Sequence, residues 1–506
     1  MFLSVLLMLF LLLGSSGCAK LKHLNAYDPA TILPNPNASS LDYAKHVGII
    51  TPSSLQISWD TSTEDSLYFY AVARSTSPMN LKNIRVPDAT MALIISEIKK
   101  LDTTALWGMT DAATIQAKMP VFASTFHAVA IYPDANTVEN NDTGLTASTK
   151  YYYSVLVFLK NINGYSVTSE LTLETPPDLS VGGGMRTCEL LFPYRDINQV
   201  TYCVDIDPVN NLLYVGGYSY YMNRKFNPPL AVPANDYYIL KRDLDTAFNS
   251  GQIWESQSII VSDLDMIDYS AATGVPNVNI HRFKGFAADN SQRVYLADTR
   301  FPEWTVYMVT NGSTGNDILQ DTSVMVSNNA SGIVDDYTSF FYLDSANNSL
   351  YILGDDIRVL FADTLVENTT ISPITISTSV PIRLNGIAFN STGKIFVSDS
   401  ENSKVYELIW DGVQYRPQLF LGSEAGSKYG QFNNVADLAF DTSDNIYVAD
   451  TDNHRVQKFD KNGNFLTSIN LKELLGNNAE YPRGLKINNN KLYVACAKNI
   501  YEIPIQ

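Results

Sequence analysis

The sequence predicts an all-β protein, and three observations carry that expectation. Charged residues make up only 17% of the chain while Tyr alone supplies 30 residues, a balance that suits half-buried pleated surfaces better than long solvated helices. Apolar side chains alternate at period two, as in Leu55, Ile57 and Trp59 of SLQISWD (54–60), the pattern of a strand with one buried face. One short strand motif also returns six times in the C-terminal part of the chain, and self-similarity of that kind marks stacked supersecondary units. The 506 residues predict roughly two to four domains at ~100–200 residues each. A hydrophobic content of 45% is ample for their cores.

Residues 2–13, FLSVLLMLFLLL, form an unbroken apolar run. It is shorter than the ~20 residues that span a bilayer and has the length of a signal-peptide core. The run leads through GSSGC (14–18) to Cys18, where Ser15, Ser16 and Gly17 leave an unhindered segment for a peptidase. This resembles the lipobox of bacterial lipoproteins. The resemblance implies removal of residues 1–17, a diacylglycerol on the Cys18 thiol and acylation of its new amino group. Several acyl chains at about 0.8 kcal/mol per buried CH2 anchor a protein stably. The alternative is an ordinary secretory signal in which Cys18 is incidental. Residues 18–45, including NAYDPATILPNPNASS (25–40), read as a flexible or extended tether.

From residue 46 the chain becomes strand-like. SLQISWD is followed by SLYFYAVARS (66–75), and later by GLTASTKYYYSVLVFLKNINGYSVTSELTLETPP (144–177). In the latter Tyr151, Tyr153, Val155 and Val157 alternate, and NING (161–164) supplies a hairpin turn. Leu145, Ala147, Thr149 and Tyr151 stand at two-residue steps before the penultimate strand. With Trp59 on an early strand and the exit ETPP, the segment 46–176 resembles a fibronectin type III sandwich, which implies that Trp59 and Tyr151 are core residues. Residues 78–126 are too long for an ordinary connection in such a domain. ATMALIISEIKKLDTTALW (89–107) has apolar spacings of three and four, and TDAATIQAKM (110–119) opens with Thr-Asp cap chemistry. One or two short helices inserted on a loop are therefore expected. HAVAIYPDA (127–135) then returns to strand.

A Pro/Gly/Ser linker, residues 177–185, marks the next boundary. Beyond it NNLLYVGGY, SQRVYLADT, NNSLYILGDD, TGKIFVSDS, SDNIYVADT and NNKLYVACA share a polar turn, an apolar–aromatic–apolar strand and a small residue. Their aromatic anchors are Tyr214, Tyr295, Tyr351, Phe396, Tyr447 and Tyr493, separated by 81, 56, 45, 51 and 46 residues. A short apolar strand precedes each anchor strand and a third follows each of the first five. Six such units over 186–506 predict a six-bladed propeller, because one blade cannot bury both faces alone. The last unit has three strands, so RTCELLFPY (186–194) is the expected donor of its outer strand, which removes an exposed edge. The run 430–466 resembles an NHL repeat through Ile446–Asp450, Asn453, His454, Arg455, Val456, Phe459 and Gly463. Asp450, Asn453, His454 and Arg455 are read as structural: Asp bonding turn amides, His and Arg bracing the turn and the neighbouring blade.

Chemistry is harder to find. Cys188, Cys203 and Cys496 are read as buried and unpaired, an odd count outside the anchor candidate. The five His residues show no H-x-x-H or HExxH spacing, and no nucleophile elbow or phosphate loop occurs. No metal, cofactor or catalytic residue is expected. The residues just before the inner strands, Lys284, Asn385, Asp437 and Arg483, are candidates for binding at the channel mouth. Their mixed charges differ from the carboxylate or imidazole set of a metal cage. The net charge of −17 argues against nucleic acid, although NHL-type propellers include RNA binders. The expected molecule is a lipid-anchored binding protein of the bacterial cell envelope, or a secreted one, and a monomer. Its partners would be the membrane, through the N-terminal lipid, and a protein or glycan ligand on the channel face or the 78–126 insertion. The alternative is a propeller enzyme of the lactonase or amidating-lyase type using a channel metal.

Overall fold

A computed structural model describes residues 47–59, 67–84, 86–101, 109–132, 139–159, 165–178, 184–191, 199–221, 234–254, 259–262, 285–298, 304–309, 324–326, 341–354, 356–365, 367–371, 374–376, 382–472 and 481–505. Cys18 and the tether, the NING turn and Lys284 lie outside the described residues. No described helix is long and apolar enough to cross a membrane. Two compact units divide the chain at Pro176/Pro177, the four residues Asn464–Thr467 excepted.

Among the described residues the first unit has eight strands: β1 (Val47–Thr51), β2 (Ser54–Ser58), β3 (Leu67–Ser75), β4 (Ala128–Tyr132), β5 (Glu139–Thr143), β6 (Lys150–Leu159), β7 (Tyr165–Val167) and β8 (Leu171–Glu174). They make two antiparallel sheets, β1-β2-β5 and β4-β3-β6-β7, with β8 also on β6. Trp59 packs between the sheets, its ring 5.6 Å from Tyr70 and 5.9 Å from Tyr132. Tyr153 donates its hydroxyl to Asp142 on β5. Tyr151 ties the corner before its own strand, its hydroxyl accepting the Thr146 amide.

The insertion forms a third layer on the outer face of the second sheet. Strand β3 shows why: Phe69 through Ala73 are fully buried on both faces, so a strand that alternates toward one sheet also needs a partner on the other side. Helix α1 (Asp88–Lys100) covers it with Met91, Ile94 and Ile98, at the three- and four-residue spacing of one helix face. Helix α2 (Ala112–Lys118) is capped by Asp111, which accepts the Thr114 amide at 2.7 Å. A third helix, α3 (Pro120–Phe126), follows at once, beyond the one or two expected. Pro120 sits at its first turn, where no amide is missed, and Phe122 and Phe126 pack on Phe158 of β6. Its first amides, Val121 and Phe122, donate to the Glu97 carboxylate of α1.

The second unit is built from six sheets. Strand β9 (Arg186–Leu191) precedes the first sheet, whose order is β10 (Gln199–Asp207), β11 (Leu212–Tyr221), β12 (Ala234–Asp243) and β14 (Ile259–Ser262). Between β12 and β14 lie helix α4 (Leu244–Ser250) and strand β13 (Gln252–Trp254). The second sheet runs β15 (Phe286–Ala288), β16 (Val294–Asp298), β17 (Trp304–Val309) and β18 (Val324–Val326). The third is β19 (Phe341–Asp344), β20 (Ser349–Leu353) and β21 (Ile357–Phe361). The fourth is β22 (Leu384–Phe389), β23 (Ile395–Asp399), β24 (Lys404–Trp410) and β25 (Tyr415–Leu421). The fifth is β26 (Val435–Phe440), β27 (Ile446–Asp450), β28 (Arg455–Phe459) and β29 (Phe465–Asn470). The sixth joins both ends of the array: β30 (Gly484–Asn488), β31 (Lys491–Ala495), β32 (Asn499–Pro504), then β9, then β13. β9 is antiparallel to β32, and β13 adds to it in parallel.

The arrangement is propeller-like. Each sheet places its aromatic anchor on the second strand, and all six anchors are buried. The first strands neighbour one another in sequence order from β10 through β15, β19, β22 and β26 to β30, and β30 neighbours β10. Apolar clusters tie successive sheets. One joins Cys188 and Leu190 of β9 to Val204, Tyr493 and Ile500, so the two ends of the array share a core. A partly buried ion pair locks the same junction. Arg186 of β9 reaches both carboxylate oxygens of Glu502 on β32 at 2.7 Å, and Lys491 and the Tyr493 hydroxyl complete that carboxylate's shell. The first strands pack so closely that glycine is required at two of them. A Cβ on Gly484 would stand 2.5 Å from the Tyr202 carbonyl, and one on Gly386 2.8 Å from the Asp437 Cα.

Candidate functional site

The six first strands surround a cavity of about 220 Å³ to which every one of them contributes. Which side chains enter it follows from the pleat. Each first strand ends at a turn residue: Asp207, Asp289, Asp344, Asn390, Asp441 and Asn488. Five of them accept amides of their own turn through the side chain: Asp207, Asp289, Asp344, Asn390 and Asp441. Counting back two from the turn gives Asp205, Ala287, Tyr342, Ala388, Ala439 and Lys486, and all six line the cavity. Counting back two more gives Cys203 and Asp437 in the cavity wall, with Gly386 and Gly484 at the same level in their strands. The glycines let the strands converge there, so the acid and the thiol are the only side chains at that level among the described residues.

The charges are organised in pairs across neighbouring strands. Lys486 Nζ lies 2.6 Å from Asp205 Oδ1. Asp205 also accepts the Ile206 amide, and through Oδ2 the Ala288 amide of the next sheet at 2.8 Å. Asp437 accepts the Leu438 amide through Oδ1 and the Leu485 amide of the sixth sheet through Oδ2, both at 2.8 Å. Between the fourth and fifth sheets the Ser398 hydroxyl does the same work, accepting the Gly386 amide and donating to the Ala436 carbonyl.

Burial pushes the Asp437 carboxyl up to about 7, against the two amide bonds and Lys486, which pull it down; Asp205 adds to the rise. For Lys486 burial pulls downward, but Asp205 prevails and the net direction is up. Lys486 lines the cavity and keeps 40% of its side-chain surface accessible. Burial likewise raises the Tyr342 phenol and the Cys203 thiol. Cys203 is therefore a protonated, inert thiol at neutral pH. Among the described residues, Cys188, Cys203 and Cys496 are joined in no disulfide.

Of the four residues read from sequence, Asp437 lines the cavity. Asn385 and Arg483 stand one residue earlier, at the level of Ala436, and do not line it. The pleat turns that level away from the channel. Lys284 is outside the described residues. The sequence reading does not single out Asp205, Lys486 or Tyr342, and it names Cys203 only as a buried thiol. The signal was present: aligning each first strand on its Asp or Asn turn, and not on the residue before it, puts Asp205 and Lys486 in one layer.

The NHL-like motif lies elsewhere, at the β27–β28 turn. Asp450 is fully buried; its Oδ1 accepts the Asn433 amide, and its Oδ2 accepts Arg455 Nε at 2.7 Å and Gln457 Nε2 at 3.0 Å. Burial pushes this carboxyl up, opposed by Arg455, the Asn433 amide and Asn453. Arg455 continues to the Lys428 and Gln431 carbonyls, and Asn453 to Gly426. His454 adopts φ 55° and sets its ring edge-on to Tyr481 at 4.4 Å. Among the described residues no three His, Cys, Asp or Glu side chains converge to hold a metal ion.

Residues 432–459 match the NHL repeat family. No curated protein matches the chain. Similar solved structures include a protein of unknown function from Bacteroides thetaiotaomicron, at 12% identity and TM-score 0.41, covering 95% of this chain and all of that one. A virginiamycin B lyase from Staphylococcus aureus matches at 9% identity and TM-score 0.38, over 64% of this chain and 100% of its own. A gluconolactonase from Xanthomonas campestris matches at 11% and 0.39, over 64% and 91%. At these scores the likenesses carry no argument about activity.

Proposed function

We propose that the chain is a binding protein of the bacterial cell envelope, held by lipid on Cys18, in which a fibronectin type III-like sandwich carries a closed six-bladed NHL-like propeller. The sandwich reading is supported by three strands facing four, by Trp59 between them and by the Tyr151 corner. The propeller reading is supported by six buried anchors, by the return of β30 to β10 and by β9 on β32.

One observation carries the non-enzymatic reading. The channel carboxylates are engaged in bracing the walls: Asp205 holds Lys486 and two amides, and Asp437 holds two amides. A resident divalent cation needs several oxygen or nitrogen donors turned toward it, and this donor set does not fit one. Ligand binding then falls to the exposed faces of the propeller.

The competing reading is a lactonase-like or amidating-lyase-like enzyme. It is favoured by Asp437, which lines the central cavity and whose carboxyl burial pushes up to about 7, as suits a general base. The mature protein is to be assayed against lactones, esters and peptide derivatives, with total metal measured on the same sample. No turnover and no stoichiometric Ca²⁺ or Zn²⁺ are expected. Turnover that disappears in a folded Asp437→Ala variant overturns the binding-protein reading. Anchoring is tested separately: lipid label incorporated by the wild type is expected to be lost in Cys18→Ala, and retention of it sinks the lipoprotein assignment.

A further inference from the structure

A second cavity, of about 600 Å³, opens where the third, fourth and fifth sheets meet, beside the starts of β22 and β26. We propose that it is a binding site for a neutral, polyhydroxylated ligand, a terminal sugar residue. This rests on the reading of the chain as a binding protein and names the ligand class.

The frame of the cavity is fixed by bonds made beneath its surface. Buried Asp399 accepts the Arg383 amide, buried Asp450 the Asn433 amide, and the Ser403 hydroxyl the Asn434 amide. Ser400 and Asp452 donate their amides back to the Arg383 and Asn433 carbonyls at 3.1 Å. Two adjacent sheets are thus stitched together, and the cavity wall is preorganised, which lowers the cost of ordering on binding.

The groups left facing outward have a definite chemistry. Glu401, Asn433 and Asp452 are exposed at the cavity. Their side chains make no hydrogen bond to another described residue. Ser400, Arg383 and Asn434 stand beside them. Carboxylates accept only, while amides both donate and accept. A sugar hydroxyl also does both, so a vicinal diol can donate to Glu401 or Asp452 while accepting from an amide. Phosphate, sulfate or uronate groups meet two carboxylates against one guanidinium and are disfavoured. The volume lies within the ~300–1,000 Å³ range of small-ligand pockets. A protein partner, by contrast, needs roughly 800 Å² of surface per side, far more than this concavity presents.

The full mature chain is to be titrated by calorimetry with glucose, galactose, N-acetylglucosamine and their β-linked disaccharides, and with glucuronate and galacturonate. At least one neutral sugar is expected to bind saturably, and its uronate to bind about tenfold more weakly, a difference of about 1.4 kcal/mol. Asn433→Ala is expected to weaken the sugar by about tenfold with an unchanged melting temperature. The pair Glu401→Gln and Asp452→Asn is expected to close the gap between neutral sugar and uronate, which a purely structural role would not do. Absence of neutral-sugar binding, or binding unchanged in Asn433→Ala, overturns the site and leaves the binding-protein reading standing. Lactone or ester turnover lost in Asp437→Ala overturns that reading itself, whatever the sugar titrations show.

Discussion

The fifth sheet holds two acids with opposite fates, Asp437 on β26 and Asp450 at the end of β27. Asp450 is enclosed by a guanidinium, two side-chain amides and a backbone amide, supplied by its own turn, the following strand β28 and the loop before β26. Among the described residues Asp437 is hydrogen-bonded by two backbone amides, feels the opposing fields of Lys486 and Asp205, and lines the channel. The residues that make the family repeat recognisable are therefore those that lock a blade turn. Burial pushes both carboxyls up, and Asp437, the one brought to about 7 beside the channel, is a residue the motif does not require. A repeat signature here reports architecture, and the channel must be read from register.

The largest test of that contrast is Asp450→Ala. It strands Arg455 in the interior without its partner, a change that costs about 3–5 kcal/mol in denaturant unfolding. The equivalent acid of the fourth sheet, Asp399, accepts the Arg383 amide and Asn402 but pairs with no cation among the described residues, so Asp399→Ala is expected to cost about 1–3 kcal/mol. Equal losses at the two positions would break the distinction between a complete and a partial lock.

Asp437 sharpens the other side of the comparison. Its folded carboxyl titrates near 7, above the ~3.9 of an unfolded Asp. Between those values the folded chain holds a proton that the unfolded chain has released, so this group makes stability fall as pH rises from about 4 to about 7. The stabilities of the wild type and Asp437→Asn, followed from pH 5 to pH 6, are expected to differ in pH slope by about one proton, and the difference is expected to fade by pH 8. Identical pH profiles would show that Asp437 is not desolvated as the channel geometry requires.

The smallest effect belongs to the solvent-facing pair Lys394–Glu407, whose Nζ–Oε1 separation is 2.7 Å but whose lysine side chain is 56% exposed. Lys394→Ala is expected to change stability by less than ~1 kcal/mol, and thermal unfolding in low and high salt checks it. A larger loss would mean that ion-pair distance, and not burial, governs the Asp450 result as well.

Much of the architecture is legible in the chain. The six aromatic anchors, the period-two strands and the apolar stripe of α1 are local patterns, and each is set by which side chains must leave water. Helix α3 escaped because Pro120 after Met119 reads as a stop, although a proline at a first helical turn is also a start. The sequence predicts one or two short helices inserted on a loop, but not what they pack on. Their apolar face covers the second side of β3.

The sequence by itself determined the strand content, the repeat, the anchors and the acids and amides available to a site. Those follow from residue type and spacing along the chain. The tertiary structure alone decided which residues share a layer of the channel, that Arg186 meets Glu502 across the closing strands, and that Glu401 and Asp452 face one cavity. These depend on a one-residue step of the pleat and on contacts between residues far apart in the chain. A one-residue shift turns a side chain from channel to blade, and no local pattern records it.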